Sequence, residues 1–280
     1  MIHRRHLLQS FGGLALAAAA PVALAREGLD FNNSRDRLTA LAKMRGSTDG
    51  QLTIGWVIGE RYAVVDARAI PMVGILAGTF SQYKRLDEDT FEAHALEVAY
   101  FTDLKTGKLL ETWKNPVTGT VVDVPQTRMG PSRILVRAQG LEIPRPVGEA
   151  TGMQINHVFE EPIINGGRVY VTEEIRVEAE ARQPGKQGFR YNEMTTYQSS
   201  LADLNNPAIT AAPVDVQFHS VVTFRPWMGF GDTPGHTTAR GFGGRVTRLD
   251  ELPPYYVELT RQYHPDVIAD PLGALEIKDA

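Results

Sequence analysis

The chain has 280 residues, with 29 basic and 33 acidic side chains, 42% hydrophobic content and no cysteine. Its slightly acidic balance argues against nucleic-acid binding, which needs clustered basic residues to meet the phosphates. The lack of cysteine excludes disulfides, iron–sulfur clusters, thiolate metal sites, covalent haem attachment and thiol nucleophiles.

Arg4-Arg5-His6-Leu7-Leu8-Gln9 precedes an apolar run from Phe11 to Ala23, and Ala23-Leu24-Ala25 is a small-x-small cleavage signal. This order predicts a twin-arginine export signal over residues 1–25, with the twin-arginine translocase as a transient partner and the periplasm as destination. The run is too short and too rich in Ala and Gly to be expected to remain as an anchor. Cleavage would leave 27 basic against 33 acidic side chains and no second long apolar run, so no stable membrane insertion is expected. Residues 26–280 are expected to form one domain.

Ser34 is placed to cap a short helix in which Leu38, Leu41 and Ala42 recur at helical spacing, and Gly46 to end it in a left-handed conformation. Gln51 to Val65 predicts a strand with Trp56, Ile58, Glu60, Tyr62 and Val64 on one face, and Val73 to Arg85 predicts a second. Phe91 to Thr102 alternates, setting His94, Leu96, Val98 and Tyr100 opposite Ala95, Glu97 and Phe101. Turns at 103–108 and 115–119 flank a strand from Leu109 to Lys114, and Thr120 to Val124 leaves as another. Pro125 to Gly152 reads as a loop with one strand near Arg133 to Ala138. Met153 to Glu160 and Arg168 to Ala181 form a hairpin around Asn165-Gly166-Gly167, and Gly188 to Ser200 and Val214 to Phe224 are further strands. Arg225 to Arg245 reads as a long Gly-rich loop, and Pro254 to Tyr263 as a closing helix with Pro254 at its first position.

About ten strands, two short helices and hairpin-like connections argue against a doubly wound sheet, which needs a helix after nearly every strand. The expected fold is mainly β: an antiparallel, barrel-like domain of calycin or lipocalin type with short helices at both ends. Such a barrel can hold one small ligand. A two-sheet sandwich is the alternative.

Several segments carry a family resemblance. They are Leu29-Asp30-Phe31-Asn32, Lys43-Met44-Arg45-Gly46-Ser47, Glu111-Thr112-Trp113-Lys114-Asn115-Pro116 with Thr118-Gly119, and Leu249-Asp250-Glu251-Leu252-Pro253 through His264-Pro265. Together they resemble the domain-of-unknown-function family 1838, whose members are often exported bacterial proteins of this length. The resemblance implies a single domain and assigns no chemistry.

The chain lacks a phosphate-binding loop with the right spacing, a G-x-S-x-G elbow and a H-E-x-x-H pair. No cofactor and no metal site is therefore expected, although separate histidines can still converge in space. Acid–base chemistry inside a barrel remains, because burial can hold a carboxyl or imidazole near the working pH. The candidate catalytic residues are His157, His219, Tyr191, Glu193 and Tyr197, with Glu97 and Glu173 also considered. Tyr191, Glu193 and Tyr197 share one strand face, which a solvated polar surface would equally explain. His157 and His219 sit mid-strand in apolar surroundings, where a hydrogen-bonded core histidine is the plain alternative. Glu173-Glu174 beside Arg176 reads as a surface ladder pair.

Trp56, Tyr62, Trp113, Trp227, Met228, Phe230 and His236 are the candidate ligand contacts. Trp227, Met228 and Phe230 either close over an apolar guest or plug the barrel end as core. The expected function is enclosure of a small apolar or aromatic molecule, as a cofactor-independent lyase, isomerase or cyclase. A non-catalytic carrier and a structural partner-binding module are the alternatives.

Overall fold

The computed structural model describes residues 28–144, 154–180 and 188–277. The export signal expected over residues 1–25 lies outside them. In chain order the elements are α1 (Ser34–Arg45), β1 (Leu52–Val65), β2 (Arg68–Arg85), β3 (Phe91–Thr102), β4 (Thr112–Lys114), β5 (Val121–Asp123), β6 (Thr127–Arg137), β7 (Gly140–Glu142), β8 (Gln154–Phe159), β9 (Ile163–Asn165), β10 (Arg168–Ala179), β11 (Phe189–Ser200), α2 (Leu201–Asn205), β12 (Asp215–Thr223), β13 (His236–Val246), α3 (Pro254–Tyr263) and α4 (Pro265–Ala269).

One antiparallel path runs β7-β6-β3-β2-β1-β13-β12-β11-β10-β8, with β9 pairing to β10 and β4–β5 forming a separate hairpin. The path curls until its two ends meet, giving a nearly closed barrel rather than two stacked sheets. The seam is light: Phe159 N–H donates to Gln139 O at 3.1 Å, and Leu141 N–H donates to His157 Nδ1 at 3.0 Å. Closure of this kind leaves no long unpaired edge.

Three clusters fill the space around the barrel wall. At one end α1 packs Leu38, Leu41 and Met44 against Tyr83, Phe91 and Val136. At the other, Trp113, Met228 and Phe230 pack on Ala63, Met72 and Val73. Outside, Tyr256, Leu259 and Val267 of α3 and α4 cover Leu76, Phe80, Leu96, Val98 and Tyr100. These last residues are the apolar outward face of β2 and β3, so the alternation in the sequence fixes which side faces in.

Two strand bounds are longer than expected, β2 starting at Arg68 and β6 at Thr127. The N-cap is Asn33 rather than Ser34, its side chain accepting from Arg35 N and Asp36 N. Gly46 ends α1 but not in the left-handed region, since its φ is −146°. The position needs glycine for another reason: a Cβ there would collide with the Tyr83 ring.

The largest correction is β13. The segment expected to be loop as far as Arg245 is instead the strand joining β1 to β12. Its glycines weaken the sequence signal but allow the sheet to bend tightly: a Cβ on Gly59 would lie 2.9 Å from Gly241 Cα on the paired strand.

Asn115 locks the cap at the far end. It is fully buried, its Oδ1 accepts from Val117 N–H at 2.8 Å and Thr118 N–H at 3.1 Å, and its Nδ2 donates to Met228 O at 2.9 Å. Asn115→Ala strands all three groups and is expected to cost about 2–3 kcal/mol, read from urea unfolding. A loss below the error of that method would contradict this role.

Candidate functional site

Strand alternation points Tyr191, Glu193, Thr195 and Tyr197 of β11 into the barrel, beside Glu173 of β10, Glu97 of β3 and Arg61 of β1. These groups form two clusters.

The first lies under α1. Arg45, in the last turn of that helix, donates from Nη2 to Glu173 Oε1 at 3.0 Å and from Nη1 to the Tyr83 hydroxyl at 2.9 Å, while its Nε lies 2.8 Å from Glu173 Oε2. Glu173 also accepts from the Tyr197 hydroxyl at 2.8 Å and pairs with His157 Nε2 at 2.5 Å. Because His157 Nδ1 accepts the Leu141 N–H, the neutral ring carries its proton on Nε2 and donates it to Glu173. Burial alone would raise the Glu173 carboxyl, but Arg45, His157 and Tyr197 hold it down to about 2. Every polar atom here has a protein partner, and both nitrogens of His157 are used to hold the seam and the acid.

The second cluster lies further along the inward face of β11. The Tyr191 hydroxyl donates to Glu193 Oε2, and Thr195 Oγ1 donates to Glu193 Oε1 at 3.0 Å. Burial raises the Glu193 carboxyl, and Glu173 adds to that. Glu97 has no side-chain hydrogen bond among the described residues. Burial, reinforced by the charge of Glu193 and opposed by Arg225, pushes its carboxyl up to about 7. Burial and Glu193 likewise raise the Tyr191 phenol well above its ordinary value.

Both Glu97 and Arg61 stand beside breaks in the ladder. The β3–β6 register shifts between Ala95 and Glu97, and the β1–β2 register between Arg61 and Tyr62. Such bulges re-aim side chains and recur next to functional sites.

The middle of the barrel is reachable. Thr79 and Met129, paired on either side of Glu97, are exposed, as is Ile155, two places from His157 on the same face. Glu97, Tyr191 and Glu193 are half-buried. This lining combines a polar side with an apolar one. Separate hollows of about 240 Å³ beside α1 and about 420 Å³ beside α3 contain neither Glu97 nor Glu193.

Of the sequence candidates, the structure brings His157 and Tyr197 together around Glu173, and Tyr191 together with Glu193 in the second cluster. His219 is not among them: it is exposed on the outer face, with Nε2 3.2 Å from Thr238 Oγ1, and not in the apolar setting expected of it. Trp56 and Tyr62 share that outer face with Glu60, and His236 starts β13 opposite Val64. Trp113, Met228 and Phe230 are buried in the end cap with half-buried Trp227, as plug rather than loose cover. Phe230 stacks on Phe224 at 3.6 Å and Trp227 tilts against Phe101 at 5.2 Å.

Glu173 corrects the surface-pair expectation, which holds only for Glu174 with Arg176. Arg45, Arg61 and Arg225 were missed. The available signal was Arg61's place opposite the Trp56–Tyr62 face, alone among small apolar neighbours. Among the described residues no three His, Asp or Glu side chains converge as a metal site requires, and no helix is long and apolar enough to cross a membrane.

The model of the protein family of unknown function DUF1838 matches residues 50–279, so the chain belongs to that family. It matches no curated protein. A barrel-like fold in this family is compatible with a binding cavity.

Proposed function

We propose that this DUF1838 member takes a small molecule into its barrel and moves a proton on it, with Glu97 as the acid–base group. The observation that carries this reading is Glu97 itself: an accessible interior carboxyl without a hydrogen bond among the described residues, pushed up to about 7. Near neutrality such a group both takes and returns a proton. Its carboxylate would accept a C–H proton while the electron pair delocalises through an adjoining double bond of the guest, and the acid would return that proton at the far carbon to which the pair has moved. That is a cofactor-independent isomerisation, or an elimination where a leaving group departs. Tyr191 and Glu193 form the polar wall, and Met129 and Ile155 accommodate the apolar part of the guest. We place this activity outside the cytoplasm, after twin-arginine export.

The test is incubation with small-molecule extract of the native host in D2O, followed by mass spectrometry. A compound should gain deuterium with the wild-type protein and not with Glu97→Gln. If a compound co-purifies with the barrel but none gains label, the carrier reading replaces the catalytic one.

A further inference from the structure

Among the described residues, no anion meets buried Arg61. It lies on the inward face of β1 and is 7% exposed. Its Nη1 donates to Thr237 Oγ1 at 3.0 Å, while its Nε, sealed from solvent, has no partner. The charged and titratable groups facing it are Arg225, Tyr191 and Glu193, none within ion-pair distance of it among the described residues. Burial and the like charge of Arg225 lower its proton affinity to about 10, so it remains charged at neutral pH. A guanidinium removed from water costs several kcal/mol unless an anion meets it.

The surroundings hold this guanidinium in place without neutralising it. Thr237, its hydrogen-bond partner among the described residues, is neutral, and its hydroxyl also donates to Val222 O at 3.3 Å. The bulge at Arg61/Tyr62 breaks the ladder beside it. Arg225 stands near with its guanidinium 5.5 Å from the Phe189 ring centroid, and Phe189 stacks on Tyr191 with an interplanar angle of 10°. Two cations and a flat aromatic wall thus stand on one side of the two acids.

We infer that Arg61, supported by Arg225, anchors a carboxylate or equivalent oxyanion on the guest, so that the ligand class is a small organic acid with an apolar or planar body. This rests on the guest-binding reading above. An acid held there would also let Arg61 stabilise negative charge that develops when Glu97 removes a proton.

The test uses a neutral fluorescent probe, N-phenyl-1-naphthylamine, displaced by 1-naphthoate or by its uncharged counterpart 1-naphthamide. The wild-type protein should release the probe at an at least tenfold lower concentration of acid than of amide. Arg61→Gln should erase that difference, Arg61→Lys should keep most of it, and Arg225→Gln should reduce it. A preference for the acid that survives in Arg61→Gln, or equal displacement by acid and amide in the wild type, overturns the assignment alone. Failure of the neutral probe to bind at all overturns the guest reading and this inference with it.

Discussion

Glu173→Gln is expected to destabilise the protein by about 3–5 kcal/mol, the usual consequence of leaving one member of a buried ion pair uncompensated. Glu173 is 2% exposed and receives Arg45, Tyr197 and His157 together. A neutral amide cannot balance Arg45, and its own N–H groups would oppose donors. Because Arg45 is the last residue of α1 and His157 stands at the β7–β8 seam, the damage should reach both the helix and barrel closure. Urea unfolding of Glu173→Gln, Arg45→Met and the double variant reads the effect. The double variant should lose less than the sum of the singles, since it removes both charges. Small and additive losses would show that the cluster does not hold the fold. The pH dependence has a definite sign. A carboxyl depressed from its ordinary 4.5 to about 2 stabilises above 4.5, and that contribution fades as pH falls through 2. Wild-type stability should therefore fall more steeply than that of Glu173→Gln across this acid window.

Glu97→Gln should act in the opposite direction. A carboxyl raised from 4.5 to about 7 contributes most to stability while protonated, below 4.5, and loses that contribution as pH rises through 7. At pH 8 the wild-type protein carries a charge that its site disfavours, whereas glutamine carries none. The variant should thus gain on the wild type between pH 5 and pH 8. The shift sets a ceiling of about 3 kcal/mol, and partial access of solvent reduces the expected gain to about 1–2 kcal/mol. Paired urea titrations at pH 5, 6, 7 and 8 measure it. The charge of Glu193 helps to raise the Glu97 carboxyl, so the apparent midpoint is shared with that neighbour. A stability difference that is flat with pH, or that favours the wild type at pH 8, would place Glu97 in an ordinary solvated environment. Loss of deuterium incorporation in the same variant would join that titration to catalysis.

Much of the fold is legible in residue alternation. Leu96, Val98 and Tyr100 face α3, and Glu97 between them faces in, as the period of two requires. Tyr191, Glu193 and Tyr197 share an inward face for the same reason. β13 was hidden because Gly241, Gly243 and Gly244 carry no strand preference, and their use emerges only where β1 crosses close by. The site was harder to read. Whether an inward acid is neutralised depends on partners distant in sequence: Glu173 is paired with Arg45 from α1, whereas among the described residues Glu97 has no ion pair and feels Arg225 only at longer range. Register within one strand cannot distinguish these two acids. Nor could it show that His157 is spent on the seam, since Leu141 lies across a gap with no ladder to define it.

The central claim is that a guest occupies the interior. It is tested most directly by NMR of protein labelled at Ile and Met methyls, with N-phenyl-1-naphthylamine added. Intermolecular Overhauser effects are predicted to the inward methyls of Met129, Ile155 and Ile175. Effects confined to Ile58 and Met194, exposed on the outer face, would mean that the molecule binds outside and that the barrel admits no guest.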